Sequence, residues 1–476
     1  MAGISFLGSR RSHPDRTVRR RLDRLRVALV AFSVAVATLG AVATSPASAQ
    51  GTPPRVEPAV EFNIVGDRCS VEVIAERVRP DGTTIITSEQ VGLTESSIAL
   101  MTGTLTVRST AVIAPDGMGR ITGRWTLQPA ASTGAIRGTL RGSVNGPEIS
   151  EVISTGHGIQ ALRGVLVQMT TTSPADGSRG ESDCASDLSF EGSGTASYRD
   201  ERNPVGAVVV ESTKSFEDSV ADLSAAIEAN PNLRLVRTVD HSAAAAGRGI
   251  VLAPTTEVFF GNPAIGTPLM QASQTTGIDL PQKMLIWEDL FGIVRVGYNA
   301  PAYLQSRHGI DGADAQLETI ARALAGLAGV ATGTTVDPVF DAGTVRERAG
   351  LVKVSTTKSV AEAHDDIVAA LEAAPPVGVA LQLDHQQNAA SVGLELRPTK
   401  LVVFGNPSLG SNLMRTDQSI ALDLPQKMLI YTDADGQTFV AYNNPYAVAQ
   451  RHDVRGQGRT LELLSGALAN FAAVGT

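Results

Sequence analysis

The chain of 476 residues carries 40 Lys and Arg against 48 Asp and Glu, a formal charge of −8, and it contains only two cysteines. An acidic chain without a basic stripe is a poor partner for nucleic acid, because phosphate neutralisation by Lys and Arg supplies most of that affinity. The length suffices for two or three domains, each with its own core.

Eight arginines lie between Arg10 and Arg26, followed by an apolar run from Val27 to about Thr44 and then Ala47-Ser48-Ala49. A basic head, an apolar middle and small residues before a cleavage point predict a secretory signal over residues 1–49, cut after Ala49. The competing reading is an uncleaved anchor, since the apolar run approaches the ~20 residues that a span needs. Cleavage would leave 32 basic against 46 acidic residues, about −14, in a secreted or periplasmic protein with no membrane segment. Cys69 and Cys184 are an even pair in an exported chain, which predicts a disulfide. Two free thiols are the alternative.

Residues 57–200 read as all-β. Arg79-Pro80-Asp81-Gly82, Pro115-Asp116-Gly117 and Asn145-Gly146 are turn signals. Between them, stretches such as Gly103-Thr104-Leu105-Thr106-Val107 and Ile136–Gly142 alternate apolar and polar residues. Short alternating strands punctuated by glycine predict a sandwich or a small barrel. The rhythm is similar to allene-oxide-cyclase or lipocalin-like barrels, which implies a fold and no activity. A barrel of that size holds either a small ligand or only its own side chains. His157, between Gly156 and Gly158, reads as a surface residue in a glycine-rich turn.

Beyond residue 200 the chain is written twice in constant register. Adding 144 carries Thr213-Lys214-Ser215 to Thr357-Lys358-Ser359 and Asp240-His241 to Asp384-His385. The octapeptide from Asp279 to Ile286 recurs unchanged from Asp423 to Ile430. Each copy predicts an α+β unit, over about 205–331 and 349–475, with residues 332–348 as a linker. A strand runs into a helix capped by Ser215 or Ser359, and Ser359-x-x-Glu362 is a capping box. Phe216, Val220, Leu223 and Ile227 give that helix one apolar face. A strand, a small-residue stretch, a second strand and the irregular Gly261-Asn262-Pro263 segment follow. Two strands around a turn and two helices close each unit.

The residues common to both copies resemble the domain-of-unknown-function family numbered 302. The stretches that carry the resemblance include Asp240-His241, Gly261-Asn262-Pro263, Leu269-Met270, Asp279-Leu280-Pro281 with Lys283, Tyr298-Asn299 and Arg307-His308. The resemblance covers both repeats and not residues 50–200. It implies a two-layer β-α-β-β-type unit, similar to the TATA-binding-protein-like fold, able to pair copies across a pseudo-twofold. It supplies no activity and no cofactor.

The candidate ligand-binding residues are the repeated polar positions: His241, Asn262, Lys283, Tyr298, Asn299 and His308, and their twins His385, Asn406, Lys427, Tyr442, Asn443 and His452. They predict two pseudo-symmetric clefts for a small ligand or a protein partner of unknown identity. Imidazole with Met270 or Met414 would suit copper, although no two of these histidines have i, i+3 or i, i+4 spacing. Lys283 and Lys427, with His308 and His452, could serve as acid–base groups. The plainer reading pairs each lysine with the aspartate four residues upstream, Asp279 or Asp423. Arg307-His308 at a helix end could simply favour the dipole. Asn262 and Asn299 could simply cap helices that open with Pro263 and Pro301. No nucleotide-binding glycine pattern and no recognisable Ser/His/Asp set is present.

Overall fold

The computed structural model describes residues 59–145, 148–172, 189–197, 203–340 and 345–476. The signal segment expected over residues 1–49, and Cys184, lie outside them. Strands β1 (Val60–Val78), β2 (Thr84–Ser96), β3 (Gly103–Ile113), β4 (Met118–Pro129), β5 (Ala135–Asn145), β6 (Glu148–Ile159), β7 (Leu166–Thr172) and β8 (Ser189–Ser197) form a closed antiparallel barrel, with β1 pairing both β2 and β8. Cys69 lies on β1. The turns form as their residues dictate: Asp81 and Asp116 accept from Thr83 N and Met118 N at 2.9 Å, with Gly82 and Gly117 in the left-handed region.

The glycines of β5 and β6 do something the sequence reading missed. They lie inside strands, and a Cβ on Gly138 or Gly156 would stand 2.4 or 2.6 Å from the Trp125 ring. Their absent side chains make room for a tryptophan at the barrel axis. His157 accordingly stands exposed on β6, opposite Arg137, and not in a turn. The barrel is filled by its own side chains. The space left among Trp125, Met101, Phe190 and Met169 is about 10 Å³, about one water.

The two repeats are α+β units. The first has strands β9 (Ala207–Glu211), β10 (Arg234–Asp240), β11 (Thr255–Gly261), β12 (Gln282–Glu288) and β13 (Val294–Asn299), ordered β10-β11-β12-β13-β9. Its helices are α1 (Phe216–Ala229), α2 (His241–Ala246), α3 (Pro263–Ala272), α4 (Pro301–His308) and α5 (Asp314–Thr332). The second repeat has β14 (Leu351–Thr356), β15 (Gly378–Asp384), β16 (Thr399–Gly405), β17 (Gln426–Thr432) and β18 (Thr438–Asn443) in the matching order. Its helices are α6 (Val360–Glu372), α7 (His385–Ala390), α8 (Pro407–Met414), α9 (Pro445–Arg451) and α10 (Gly458–Val474). The small-residue stretch is thus helical, and the Gly-Asn-Pro segment ends a strand at Gly261 and opens a helix at Pro263. Asp240 and Asp384 cap one pair of helices, and Asn262 and Asn406 cap the other.

Alternation gives each sheet two faces. Met284, Ile286, Val296 and Tyr298 pack under α1 and α5, while Met428, Ile430, Val440 and Tyr442 pack with α6 and α10. The opposite faces meet each other. The 3-10 turn Gln274–Ile278 of the first repeat lies on β16–β18, and Gln418–Asp423 of the second lies on β11–β13. Ile278 enters the core of Leu401, Val403 and Leu429, while Leu285 and Trp287 pack with Ile420 and Leu422.

The barrel is docked on the repeats at one end. Leu290 and Phe291, the tip of the β12–β13 turn, pack against the barrel core, and Leu100 N donates to Leu290 O at 2.8 Å. Arg415 Nη2 donates to Ala130 O at 2.8 Å and to Ser132 O at 3.1 Å. Linker residues Val336 and Val345 pack against the first repeat.

Candidate functional site

Half of the repeated polar residues converge on one buried network at the junction of the two sheets. Asp279 follows a 3-10 turn that carries it onto the other repeat. Its Oδ2 accepts from Arg307 Nη1 at 2.6 Å and His308 Nε2 at 2.8 Å, and its Oδ1 lies 3.8 Å from Lys427 Nζ. Asp423 accepts from Arg451 at 2.8 Å and His452 at 2.9 Å. Each arginine also crosses the junction: Arg307 Nη2 donates to Asn443 Oδ1, and Arg451 Nη2 to Asn299 Oδ1, both at 2.7 Å. The ion pair expected between Lys283 and Asp279 is therefore swapped: Asp279 meets the lysine of the other copy. Four residues of sequence is too short a reach here, because the aspartate rides on a turn that leaves its own sheet.

The two network histidines have both ring nitrogens engaged. Thr275 Oγ1 lies 3.0 Å from His308 Nδ1, and Ser419 Oγ lies 2.9 Å from His452 Nδ1. A neutral ring that donates from Nε2 to aspartate and accepts at Nδ1 from a hydroxyl satisfies all four contacts. Burial lowers both imidazoles and outweighs the bond to aspartate. A neutral His308 adds nothing to the helix dipole, which leaves Arg307 alone as a cation in the last turn. Burial opposes ionisation of Asp279 and Asp423, yet Arg307 and Arg451, with the histidine bonds, hold both carboxyls well below the ordinary range. Burial, with Lys283 alongside, pushes Lys427 down to about 7.

Glu257 on β11 was missed. Burial pushes its carboxyl up to about 8 beside Lys283 and Lys427, and neither of its oxygens has a hydrogen-bond partner. Its twin is Leu401, so comparing the copies for shared residues could not find it. Looking for a charge at an apolar repeat position would have. The network is walled off: Lys283 and Lys427 are each 3% exposed. The arrangement joins two half-molecules by reciprocal charged bonds, as an isologous interface does.

The other candidates lie elsewhere. Tyr298 and Tyr442 face the helices, and burial pushes the Tyr298 hydroxyl up to about 12. Asn406 caps α8, its Oδ1 accepting from Ser408 N at 3.0 Å. His385 Nε2 donates to Gly277 O at 3.1 Å, whereas His241 Nε2 has no partner. Burial pushes both rings down to about 4. Among the described residues no group of three or more His, Cys, Asp or Glu is placed to hold a metal. Met270 packs with Leu280, Ala389 and Leu396.

Two candidates do meet at a cavity, and they come from different repeats. Asn262 of the first and His385 of the second both line a space of about 450 Å³ beside α3, β10 and α5. Its walls are largely apolar, with Phe260, Ile265, Met270, Leu280, Ile320 and Leu324. Gln282 and Thr267 also line it, and Gln282 Nε2 and Thr267 Oγ1 are buried without partners. Sequence reading did not assign most of these walls to a site, because a core leucine and a cavity leucine look alike in a periodic helix.

Residues 208–327 and 352–471 match the family described as "Domain of unknown function DUF302". Fluoride-specific ion channel FluC 1 of Brucella suis biovar 1 (strain 1330) is 40% identical over 105 residues, 22% of this chain and 41% of that protein. Fluoride-specific ion channel FluC 2 of Brucella melitensis biotype 1 is 40% identical over 105 residues, 38% of its length. The chain thus spans about two fifths of the curated relatives it matches. The crystal structure of an uncharacterized conserved DUF302 protein from Bacillus stearothermophilus covers 27% of this chain and 98% of its own, at 16% identity and a TM-score of 0.25. Among the described residues no helix is long and apolar enough to cross a membrane.

Proposed function

Because this chain belongs to the DUF302 family and carries two of its units, we propose that the duplicated half is a non-catalytic binding module for a small, largely apolar ligand. The observation that carries the reading is the cavity of about 450 Å³, lined from both repeats. Ligand sites are commonly apolar clefts of roughly 300–1,000 Å³ with a few fixed polar groups. The buried network serves that site indirectly, by fixing α7 of one repeat against α3 of the other. The acid–base alternative has less support, since Lys283 and Lys427 are buried in ion-paired surroundings with no route for a substrate. Copper has less support as well, because His308 and His452 have no ring nitrogen to spare.

The proposal keeps the exported location, with cleavage after Ala49, and a disulfide between Cys69 and Cys184; the support for these is the sequence pattern. It does not take over fluoride conduction, which is named for proteins that share only 105 residues with this chain. The test is native mass spectrometry of the mature chain purified from its own export pathway. A bound mass near one equivalent, absent from an Ala323→Trp variant that blocks the cavity rim, is the expected result. A clean ligand-free mass, together with no displaceable uptake of an apolar dye, would overturn it.

A further inference from the structure

The apolar floor of the cavity is common to both copies, and part of its polar rim is not. Phe260, Met270, Leu280 and Leu324 recur as Phe404, Met414, Leu424 and Leu468, as the core of a duplicated fold requires. At the rim, Asn230, Asn232, Arg234 and Asn388 stand where the other copy has Ala374, Pro376, Gly378 and Ala244. The second copy folds without counterparts of Asn230, Asn232 and Arg234, so the first does not need those three for folding. Arg234 is the single charged residue of the lining; it is exposed and has no ion pair among the described residues.

A second donor lines the same cavity: Gln282, opposite Phe260 in the sheet, has an amide nitrogen buried without a partner. One guanidinium and one amide donor above an apolar floor suit a head with one negative charge. A dianionic phosphate would call for more cations.

We propose that the cavity takes an aliphatic monocarboxylate, its carboxylate held by Arg234 and Gln282 and its chain against Phe260, Ile265 and Leu324. This rests on the binding reading above and adds the ligand class. A volume of about 450 Å³ suits a medium-length chain. The probes are decanoate and 1-decanol, of equal length and different head, titrated calorimetrically into the full mature chain.

Decanoate is expected to bind once per chain, about tenfold or more tighter than the alcohol, as one charge-assisted contact provides. Arg234→Ala, at an exposed position that is glycine in the other copy, should bring decanoate to the level of the alcohol and leave the alcohol unchanged. Arg234→Lys should restore part of the difference, and Ala323→Trp should remove both ligands. Equal binding of the two probes with Arg234→Ala silent would overturn the carboxylate while leaving the cavity a binding site. Binding of neither probe would overturn both.

Discussion

The two repeats share a register of 144 residues without a gap, yet they are not in equivalent surroundings. Where they agree, at Asp279/Asp423, Arg307/Arg451, His308/His452 and Asn299/Asn443, each aspartate holds the arginine and histidine of its own copy, and each arginine bonds to the asparagine of the other copy across the junction. Where they differ, the difference follows what each copy faces. The β12–β13 turn carries Leu290-Phe291 and docks on the barrel, while the matching Ala434-Asp435 is exposed. Gly277 lets its carbonyl meet His385, and a Cβ there would lie 3.4 Å from that ring; the twin is Ala421, and His241 has no partner. Tyr303 stacks on Arg451 at 4.0 Å, and its own twin is Ala447. The lesson is that duplication preserved the arginine–asparagine bonds across the junction, while these differing positions follow the different surroundings of each copy.

The largest effect expected is on that shared surface. Asp279→Ala strands Arg307, His308 and Lys427, and breaking a buried pair in this way costs about 3–5 kcal/mol. Asp423→Ala should cost about the same by urea denaturation. A silent variant on either side would show that the junction is not reciprocal.

The histidines come next. Both His241 and His385 have folded pKa values of about 4 against an ordinary 6.5. The unfolded chain takes the proton first, so their stabilising contribution is complete above pH 6.5 and is lost as pH falls through about 4. The loss is roughly 3 kcal/mol per ring on the scale of 1.36 kcal/mol per pKa unit. Melting temperatures of His241→Gln and His385→Gln across that window should each show a shallower acid slope than the parent.

A reciprocal swap tests the asymmetric charge. Leu401→Glu buries a second unpartnered carboxyl and should lose about 1–3 kcal/mol. Glu257→Leu should be neutral or stabilising, because it replaces a buried, unpartnered polar group by an apolar side chain. Equal loss from both would mean that Glu257 balances the lysines. The smallest effect concerns the barrel contact. Phe291→Ala should cost about 1–2 kcal/mol, less than a fully buried phenylalanine, and should speed hydrogen exchange at the Leu100 amide. Asp435→Ala, at the exposed twin turn, should stay within about 0.5 kcal/mol.

Much of the fold was legible because it is local or repeated. Ser215, Ser359 and Glu362 cap as their spacing implies, the Asp-Gly turns close the barrel hairpins, and the repeat itself announced two units. The site was less legible. Polar residues common to both copies pointed to clefts, and the structure brings half of them to a buried junction. The cavity is lined instead by ordinary core residues and by rim positions that the copies do not share.

The sequence by itself determined the barrel-like strands, the two α+β units, their register and their caps, because alternation, helical periodicity and turn chemistry act within a few residues. Only the tertiary structure decided that Asp279 pairs with Lys427 and not with Lys283, that Leu290-Phe291 meets the barrel, and that Asn262 and His385 share a cavity. Those relations join residues more than a hundred positions apart or in separate units. They follow from which faces the sheets bury against each other, and no local pattern in the chain records that choice.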